Sequence, residues 1–376
     1  MTESVIEGQS ATQALSEDEI TLLRRVGFGS DADRSGTAVL ANQTVRFVDA
    51  QCPGLEILSL KDALNRYDWV QDLMFKLISP DANDKVLQAA ESTDDPVGHF
   101  VYVHDGARIP HPVQTFTMLE TPQGRQFTHN ITVIGEDAEV EMISGAAVPQ
   151  RVHAGHHVSI EETYLRKGAR CRSVSIESWG HGMEVESYSR TEIGDGADQT
   201  SNQIMLAPIK HHVSDTQTFV GANASSNDQA IIFAPKGANR LFDTTTYLTA
   251  PGARSESIAR MVSAGGTITN QAVLVGDASD TTGFLGCDGL KLTDDGAIVA
   301  IPSLTANSAG AQLSHEASVG MVAQEKLSYL MASGLSEDSA RDLIVHGFLN
   351  LKEQYLPAEL RDHVTGMIAA AKSGGM

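Results

Sequence analysis

The feature that most constrains this chain is a long stretch in which short β-branched segments alternate with turns of small residues. All nine Gly-Ala dipeptides of the sequence lie between Gly106 and Ala311, separated by segments such as ITVI, VSIEETYL and TITNQAVLVG. Short strands with recurrent turns are compatible with a sandwich, a barrel or a solenoid of stacked coils. The lack of hairpin signals such as Asn-Gly, together with many Ser, Thr, Asn and Gln residues in the segments, favours the solenoid.

Helical patterns precede this stretch. Ser16 and Glu19 have the spacing of a capping box and predict a short helix that Gly27 ends. A longer helix is predicted from Leu60 up to Pro80, with Trp69 as a packing residue for the next domain.

Apolar residues return at helical spacing after the β-rich stretch, and Ser314-His315-Glu316 is predicted to mark the start of a helical tail. The apolar side of its first helix is predicted to comprise Val319, Val322, Leu327, Leu330 and Met331. Gly334 is predicted to end that helix, Ser336 to cap a second and Pro357 to begin a third. The sequence therefore predicts an N-terminal helical region (1–95), a β-rich core (96–312) and a C-terminal helical domain (313–376).

Composition narrows the classes of function. A net charge of −21 argues against a nucleic-acid-binding surface, which needs basic patches to bind phosphates. No run approaches the roughly 18 apolar residues of a spanning helix, and the acidic N-terminus does not resemble a signal peptide, so we expect a cytoplasmic protein without a membrane partner. Cys52, Cys171 and Cys287 are scattered and odd in number, which predicts reduced thiols.

The C-terminal block resembles a known family. Its motifs are His315-Glu316-Ala317-Ser318-Val319-Gly320, Gln324-Glu325-Lys326-Leu327 with Tyr329-Leu330-Met331, Gly334-Leu335-Ser336-Glu337, and Leu343-Ile344-Val345 with Gly347-Phe348. In order and spacing they resemble the C-terminal signature of the SufB/SufD proteins, the scaffold subunits of the Suf system for iron–sulfur cluster assembly. Two weaker matches are Gly168-Ala169 followed by Ser175-Ile176-Glu177-Ser178-Trp179, and Cys287 before Pro302.

The resemblance implies a right-handed parallel β-helix core with N-terminal and C-terminal α-helical segments. It also implies that the C-terminal helices dock a SufC-type ABC ATPase, through the positions Tyr329, Leu330, Gly334, Leu335 and Phe348. The chain has no Gly-Lys dipeptide and hence no Walker A loop, which agrees with ATP hydrolysis in a separate subunit and a scaffold role without catalysis here. A dimer through the β-helix is implied as well, of two copies or with a SufD-like partner.

Within the family the chain looks more like SufB than SufD, because SufD proteins lack the late cysteine. The helix around Tyr67-Asp68-Trp69 resembles that of the short archaeal-type SufB-like proteins. The implied cofactor is a transient [4Fe–4S] or [2Fe–2S] cluster, with Cys287, His315 and Glu316 as metal ligands. Stable clusters usually have four thiolates, so one thiolate with harder ligands, doubled across a dimer, would suit a site that releases its cluster. The alternatives are a buried small hydrophobe for Cys287, a first-turn helix charge for Glu316 and an ordinary polar residue for His315.

The resemblance also suggests a path for sulfur through the β-helix, with Cys171, Glu177 and Trp179 as candidates. Glu177 stands where glutamine is usual, and Cys171 has core packing as its alternative role. We expect Cys52 to be structural.

Other functions compete with this interpretation. His153, His156 and His157, with His211-His212, are candidate zinc ligands, but adjacent residues of a strand face opposite sides and Gly155 favours a solvent-facing loop. A β-helix enzyme acting on polysaccharide would need paired carboxylates, for which Asp294-Asp295 is a candidate in a predicted turn. An interaction solenoid whose thiols are incidental is the third alternative.

Overall fold

The computed structural model describes residues 14–91 and 95–349. Helix α1 spans Glu17–Arg24, and the predicted capping box is present: Ser16 Oγ accepts from the backbone N–H of Glu19 at 3.3 Å, and Glu19 Oε2 accepts from that of Ser16 at 2.6 Å. The chain turns away at Gly27, whose φ of 99° suits glycine. The predicted first helix is therefore confirmed.

The long helix predicted from Leu60 to Pro80 is wrong in its extent. The structure has α2 (Leu60–Arg66), α3 (Asp68–Gln71) and α4 (Asp84–Glu91), with 3₁₀ turns at Asp31–Asp33 and Pro80–Ala82. Tyr67 is extended between α2 and α3, and beyond α3 the backbone N–H groups of Phe75 and Leu77 donate to the Glu162 carboxylate at 2.7 and 2.6 Å. A tertiary contact with the β-rich core therefore overrides helix propensity here.

Trp69 packs as predicted, although it remains 36% exposed. Its ring lies 5.8 Å from that of Phe100 and 5.3 Å from that of Tyr102. Both partners belong to the first strand of the β-rich core, so the helical segment is fixed to the core by aromatic contacts.

Nineteen strands in the described residues form two sheets. Sheet A contains β1 (Gly36–Ala41), β2 (Thr44–Ala50), β5 (Val113–Met118), β7 (Glu139–Ala147), β9 (Arg170–Ser178), β11 (Asp198–Met205), β13 (Ser225–Pro235), β15 (Arg254–Ala264), β17 (Thr282–Lys291) and β19 (Gln312–Met321). Sheet B contains β3 (Leu55–Ser59), β4 (His99–Val103), β6 (Arg125–Ile134), β8 (Ala154–Leu165), β10 (Gly182–Ile193), β12 (His211–Val220), β14 (Asn239–Leu248), β16 (Thr267–Gly276) and β18 (Ala297–Ala306).

From β4 onward the chain alternates between the two sheets, and each strand up to β17 pairs in parallel with the strand two positions later in the sequence. Glu184 is the register partner of His211 and Arg125 that of His156, so one coil takes 27 to 31 residues. This is a parallel β-solenoid of about eight turns with short helices at both ends, and the predicted fold class is confirmed. Gly168, with a φ of 68°, makes one of the stacked turns, and Ala169 after it is fully buried.

Three strands lie in the N-terminal region for which only helices were predicted. Strand β1 pairs in parallel with β5, and β3 pairs antiparallel with β4, so they form the first layer of the stack. The apolar runs of these strands are short and were hidden by the stronger helical signals on either side.

Apolar residues fill both the interior of the solenoid and its outer faces, because neighbouring strand residues point to opposite sides. The interior between the sheets, here called the lumen, contains a cluster that includes Leu165, Cys171, Leu285 and Cys287. The outer face of sheet A is covered by the N-terminal segment and the C-terminal helices, through residues such as Leu23, Val26, Val345 and Leu349. The outer face of sheet B near its start is covered by the α2–α4 region.

The predicted start of the helical tail is wrong. Ser314, His315, Glu316 and Val319 lie on β19, which adds one more parallel ladder to β17. Helix α5 begins later and spans Gln324–Ala332; α6 spans Glu337–Leu349. Gly334 ends α5 with a φ of 97°, and Ser336 Oγ accepts from the backbone N–H of Ser339 at 3.1 Å, as predicted. The third helix predicted near Pro357 lies outside the described residues.

Among residues 14–91 and 95–349, no helix is long and apolar enough to cross a membrane.

Candidate functional site

The last coil of the solenoid leaves its end open. In the described part of the chain, β18 and β19 are the final strands of their sheets, and nearly all of β19 is exposed. Four apolar side chains at this end are 42% to 53% exposed: Val299, Ile301, Val319 and Met321. An edge strand with free backbone groups and apolar side chains is suited to pairing with another chain.

Cys287 lies one coil below this open end. It is on β17, is 1% exposed and belongs to the apolar cluster of the lumen. The side-chain N–H of Asn270 donates to its Sγ at 3.4 Å. Burial raises the pKa of the Cys287 thiol, although the Asn270 bond opposes this, so the thiol needs a metal ion or another electrophile to deprotonate readily.

His315 shares the lumen face with Cys287, whereas Glu316 does not. On β19, Ala317 is the register partner of Cys287 and His315 that of Leu285. Leu285 and Leu313 pack in the lumen cluster, so His315 and Ala317 point inward. Glu316 pairs with Gly286 and points to the outer face of sheet A. Within one chain, therefore, the structure brings the thiol and the imidazole to one surface and directs the carboxylate to the other.

The middle of the lumen is lined by hydroxyl and amide side chains. The inward rows of the two sheets contain Thr115, Ser144, Ser175 and Gln203 on one side and Ser159, Ser187 and Ser214 on the other. Two small cavities remain between them. The first, of about 60 Å³, is bordered by Glu177 and Trp179; the second, of about 50 Å³, is bordered by Cys287.

Glu177 lies in the lumen beside a buried basic group. His212 Nδ1 is 3.8 Å from Glu177 Oε2 and accepts a hydrogen bond from Arg240 at 3.0 Å, and Arg240 also donates to the carbonyl oxygen of Ala207 at 2.6 Å. Burial raises the pKa of Glu177 to about 7, against the opposing effect of Arg240. Burial and the Arg240 charge hold the pKa of His212 well below its usual range, so the imidazole is neutral.

Glu177 makes the stability of the protein depend on pH. Its pKa is near 4.5 in the unfolded chain and about 7 in the fold, so the folded state binds more protons between these values and loses stability as pH rises through that window. Relative to Glu177→Gln, the wild-type free energy of unfolding should fall by up to about 3 kcal/mol between pH 4.5 and 7.5. Urea unfolding of both proteins across this pH range measures the change in the free energy of unfolding. Glu256→Gln, on the outer face of sheet A, is the matched control variant. A difference between wild type and Glu177→Gln that stays constant with pH would contradict the placement of Glu177.

The other two residues of the predicted sulfur path also lie inside the solenoid. Trp179 is 4% exposed and its ring lies 5.0 Å from that of His157. Cys171 is buried in the apolar part of the lumen, which raises the pKa of its thiol to about 12 and favours its core-packing role. Cys52 is half-buried, and all three cysteines are free.

The candidate zinc histidines are dispersed. His156 and His157 lie within β8 and not in the predicted loop: His156 contacts Glu186 at 3.0 Å on the outer face, and His157 contacts Gln126 at 2.9 Å inside. This matches the expectation that adjacent strand residues cannot face one ion. The described residues contain no group of three or more His, Cys, Asp or Glu side chains placed to hold a metal. Asp294 and Asp295 lie in an exposed turn after β17, where Asp295 is 3.8 Å from Lys236.

The C-terminal helices present an apolar surface to solvent. Tyr329 is 74% exposed, Leu343 is 53% exposed and Leu335 is 36% exposed, while Leu330 is half-buried. Phe348 instead packs against the cluster that joins these helices to the outer face of sheet A. The predicted docking residues are therefore divided between an exposed surface and an anchor to the solenoid.

Sequence reasoning missed several residues of this site. Asn270, Arg240 and His212 were not singled out for their lumen contacts, and neither was Asp228 in the second cavity. Alternating polar residues inside a predicted solenoid coil were the available signal, but without the register they cannot be assigned to the inner or the outer face.

The comparisons with known proteins agree with this architecture. The family model described as "SUF system FeS cluster assembly, SufBD core domain" matches residues 117–348. The chain belongs to the SufBD family of iron–sulfur cluster assembly proteins.

Its similarity to SufBD proteins extends over nearly the whole chain. It is 32% identical to an iron–sulfur cluster assembly SufBD family protein of Archaeoglobus fulgidus over 351 residues, which are 93% of this chain and 94% of the relative. A SufBD family protein of Methanothermobacter thermautotrophicus is 30% identical, over 97% of this chain and 90% of its own length. The iron–sulfur cluster assembly protein SufB of Bacillus subtilis is 24% identical, over 87% of this chain and 71% of its own length.

Proposed function

We propose that this SufBD protein is a scaffold on which a nascent iron–sulfur cluster is held by Cys287 together with His315 and Glu316. The observation that carries the proposal is the position of Cys287: a free thiol beside the second lumen cavity, one coil below the open end, with His315 on the same face of the next strand. Iron and sulfide are cargo of such a site. A single thiolate with harder ligands holds them less firmly than four thiolates would, which suits release.

Glu316 can join the site only if two chains pair. It points away from Cys287 in its own chain, but β19 is an exposed edge. Pairing of the open ends of two solenoids, either two copies or this chain with a SufD-like partner, would bury Val299, Ile301, Val319 and Met321.

We further propose that α5 and α6 bind a SufC-type ABC ATPase through Tyr329, Leu330, Gly334 and Leu335. The exposed apolar surface supports this, as does the absence of a Gly-Lys dipeptide from the sequence. Phe348 and its neighbours anchor the helices to sheet A, so closure of an ATPase pair would move the outer face on which Glu316 lies. The assembly is expected in the cytoplasm, where three free thiols stay reduced.

The hydroxyl-lined lumen supports a role in sulfur delivery to Cys287. Glu177 and Trp179 border the first cavity. Cys287 borders the second cavity, which lies in the next coils of the stack. Cys171 borders neither of these cavities and belongs to the apolar cluster of the lumen.

Anaerobic purification of the chain together with the ATPase of the same cells tests the proposal. We expect a stable complex that binds iron and sulfide when both are supplied. A complex that forms but never takes up iron with sulfide would leave only a structural role and refute the scaffold function.

A further inference from the structure

The second lumen cavity has a lining suited to a cation. Its volume is about 50 Å³, and it is bordered at one end by Cys287 and further inside by Asp228 on β13. Thr216, Thr244, Ser257 and Asn270 also line it, together with apolar residues such as Ile232 and Phe242. Of the described residues that border this cavity, none is a lysine, an arginine or a histidine.

Asp228 is a carboxylate inside the solenoid whose charge has no basic partner among the groups that set its pKa. Ser226 Oγ donates to Asp228 Oδ2 at 2.6 Å. Burial raises the pKa of Asp228 to about 6, and the Ser226 bond opposes the rise. Asp228 is half-buried beside the cavity, and above that pH its carboxylate carries a charge inside the solenoid that a counter-charge would stabilise. A cation in the cavity is one such counter-charge.

The position of Asp228 separates it from the proposed cluster ligands. Asp228, Ser257 and Leu285 are register partners on three successive strands of sheet A and form one inward row. The neighbouring inward row consists of Ala230, Ala259 and Cys287. Strands are about 4.8 Å apart, so the carboxylate lies about 10 Å deeper in the lumen than the thiol. The intervening side chains are alanine and serine, which leave the space that forms the cavity.

We propose that this cavity holds one ferrous ion on its way to Cys287, with Asp228 as the anchoring carboxylate. This inference rests on the proposed scaffold function, which requires iron as cargo. Carboxylate, hydroxyl, amide and water oxygens suit hard divalent cations, and the cavity has room for several water molecules or a partly hydrated ion. One carboxylate with neutral oxygens binds such an ion weakly, as a holding site must.

Ferrous ion binding without sulfide tests the proposal. Under anaerobic conditions at pH 7.5, the full-length apo-protein should bind one Fe²⁺ per chain, measured by equilibrium dialysis, with Mn²⁺ electron paramagnetic resonance as a second readout. Asp228→Asn, which keeps the shape and removes the charge, should weaken Fe²⁺ binding by at least about tenfold, since the carboxylate provides the charged ligand. Asp243→Asn is the control, because Asp243 follows the lumen residue Phe242 on β14 and faces outward. It should leave Fe²⁺ affinity unchanged.

Further variants separate this inference from the scaffold function. Cys287→Ser should lose the cluster yet bind Fe²⁺ as the wild type does. Asp228→Asn should melt at no lower temperature than wild type at pH 8, because a charge inside the solenoid is removed. If the amide disturbs the fold, Asp228→Ser is used to repeat the binding test. Fe²⁺ binding by Asp228→Asn with wild-type affinity, or no Fe²⁺ bound by the wild type, would overturn the holding site while leaving the role of Cys287 standing.

Discussion

Replacing Cys287 by serine is expected to reduce cluster loading by at least about tenfold after anaerobic reconstitution with iron and sulfide, because Cys287 supplies the soft ligand in the function that we propose. Serine differs from cysteine by one atom, and the 1% exposed position next to Asn270 can still be filled and hydrogen-bonded. The fold should therefore survive, which circular dichroism and thermal melting check. The readout is thiolate-to-iron charge-transfer absorbance and the Mössbauer spectrum of the loaded protein.

Cys171→Ser is the matched control for this change. Cys171 is also a buried cysteine of the lumen cluster, but it borders neither of the two lumen cavities and burial raises its thiol pKa to about 12. It should cost some stability and leave cluster loading near that of the wild type. Equal loading by Cys287→Ser and the wild type would remove the centre of the proposed function.

Replacing Tyr329 by alanine should produce the second large effect, on binding of the ABC ATPase that we propose as a partner. Tyr329 is the most exposed large side chain of the apolar surface on α5, and it borders a shallow pocket with Leu330 and Ile344. Truncating an aromatic anchor at an interface costs roughly 2 kcal/mol or more, which is about a thirtyfold loss of affinity. Isothermal titration of the purified ATPase into the full chain measures it.

Tyr247→Ala is the control for the Tyr329 change. Tyr247 stacks on Phe219 at 5.1 Å on the outer face of sheet B, far along the chain from the C-terminal helices. The control should bind the ATPase as the wild type does. If Tyr329→Ala also binds with wild-type affinity, the ATPase docks elsewhere.

The repetitive architecture could be predicted from sequence because its signal is repeated in every coil. Gly-Ala turns and β-branched segments occur throughout residues 106–311, and a solenoid is the fold in which such turns stack. The capping box at Ser16 and the helix end at Gly334 were likewise set by local chemistry. Where tertiary contacts decided, prediction failed: the carboxylate of Glu162 binds the N–H groups of Phe75 and Leu77 and stops the long helix predicted from Leu60.

At the end of the solenoid, too, a tertiary contact overrode the local sequence signal. His315 and Glu316 precede a helical pattern, and their polar character suggested a helix start, but one more parallel pairing with β17 makes them a strand. That change decides the site, because a strand directs neighbouring side chains to opposite faces whereas a helical turn would have kept them together. The likeness to SufB/SufD proteins suggested Cys287, His315 and Glu316, and only the register shows that Glu316 points away from Cys287 within one chain.

The lumen groups could not be found from sequence. Asn270, Asp228, Arg240 and His212 are ordinary polar residues until the stack aligns them with Cys287 or Glu177. Their sequence separation from those partners is set by coil length, which varies between 27 and 31 residues. A one-residue shift in the register of a strand would turn the lumen residue on that strand outward.

The most direct test of the scaffold function is the iron and acid-labile sulfide content of the wild-type chain after anaerobic reconstitution and removal of unbound ions. We expect both, in roughly equal amounts as in [2Fe–2S] or [4Fe–4S] clusters, and both lost together in Cys287→Ser. Iron bound without sulfide would contradict a cluster held near the open end of this solenoid. So would a Cys287→Ser variant that retains as much iron and sulfide as the wild type.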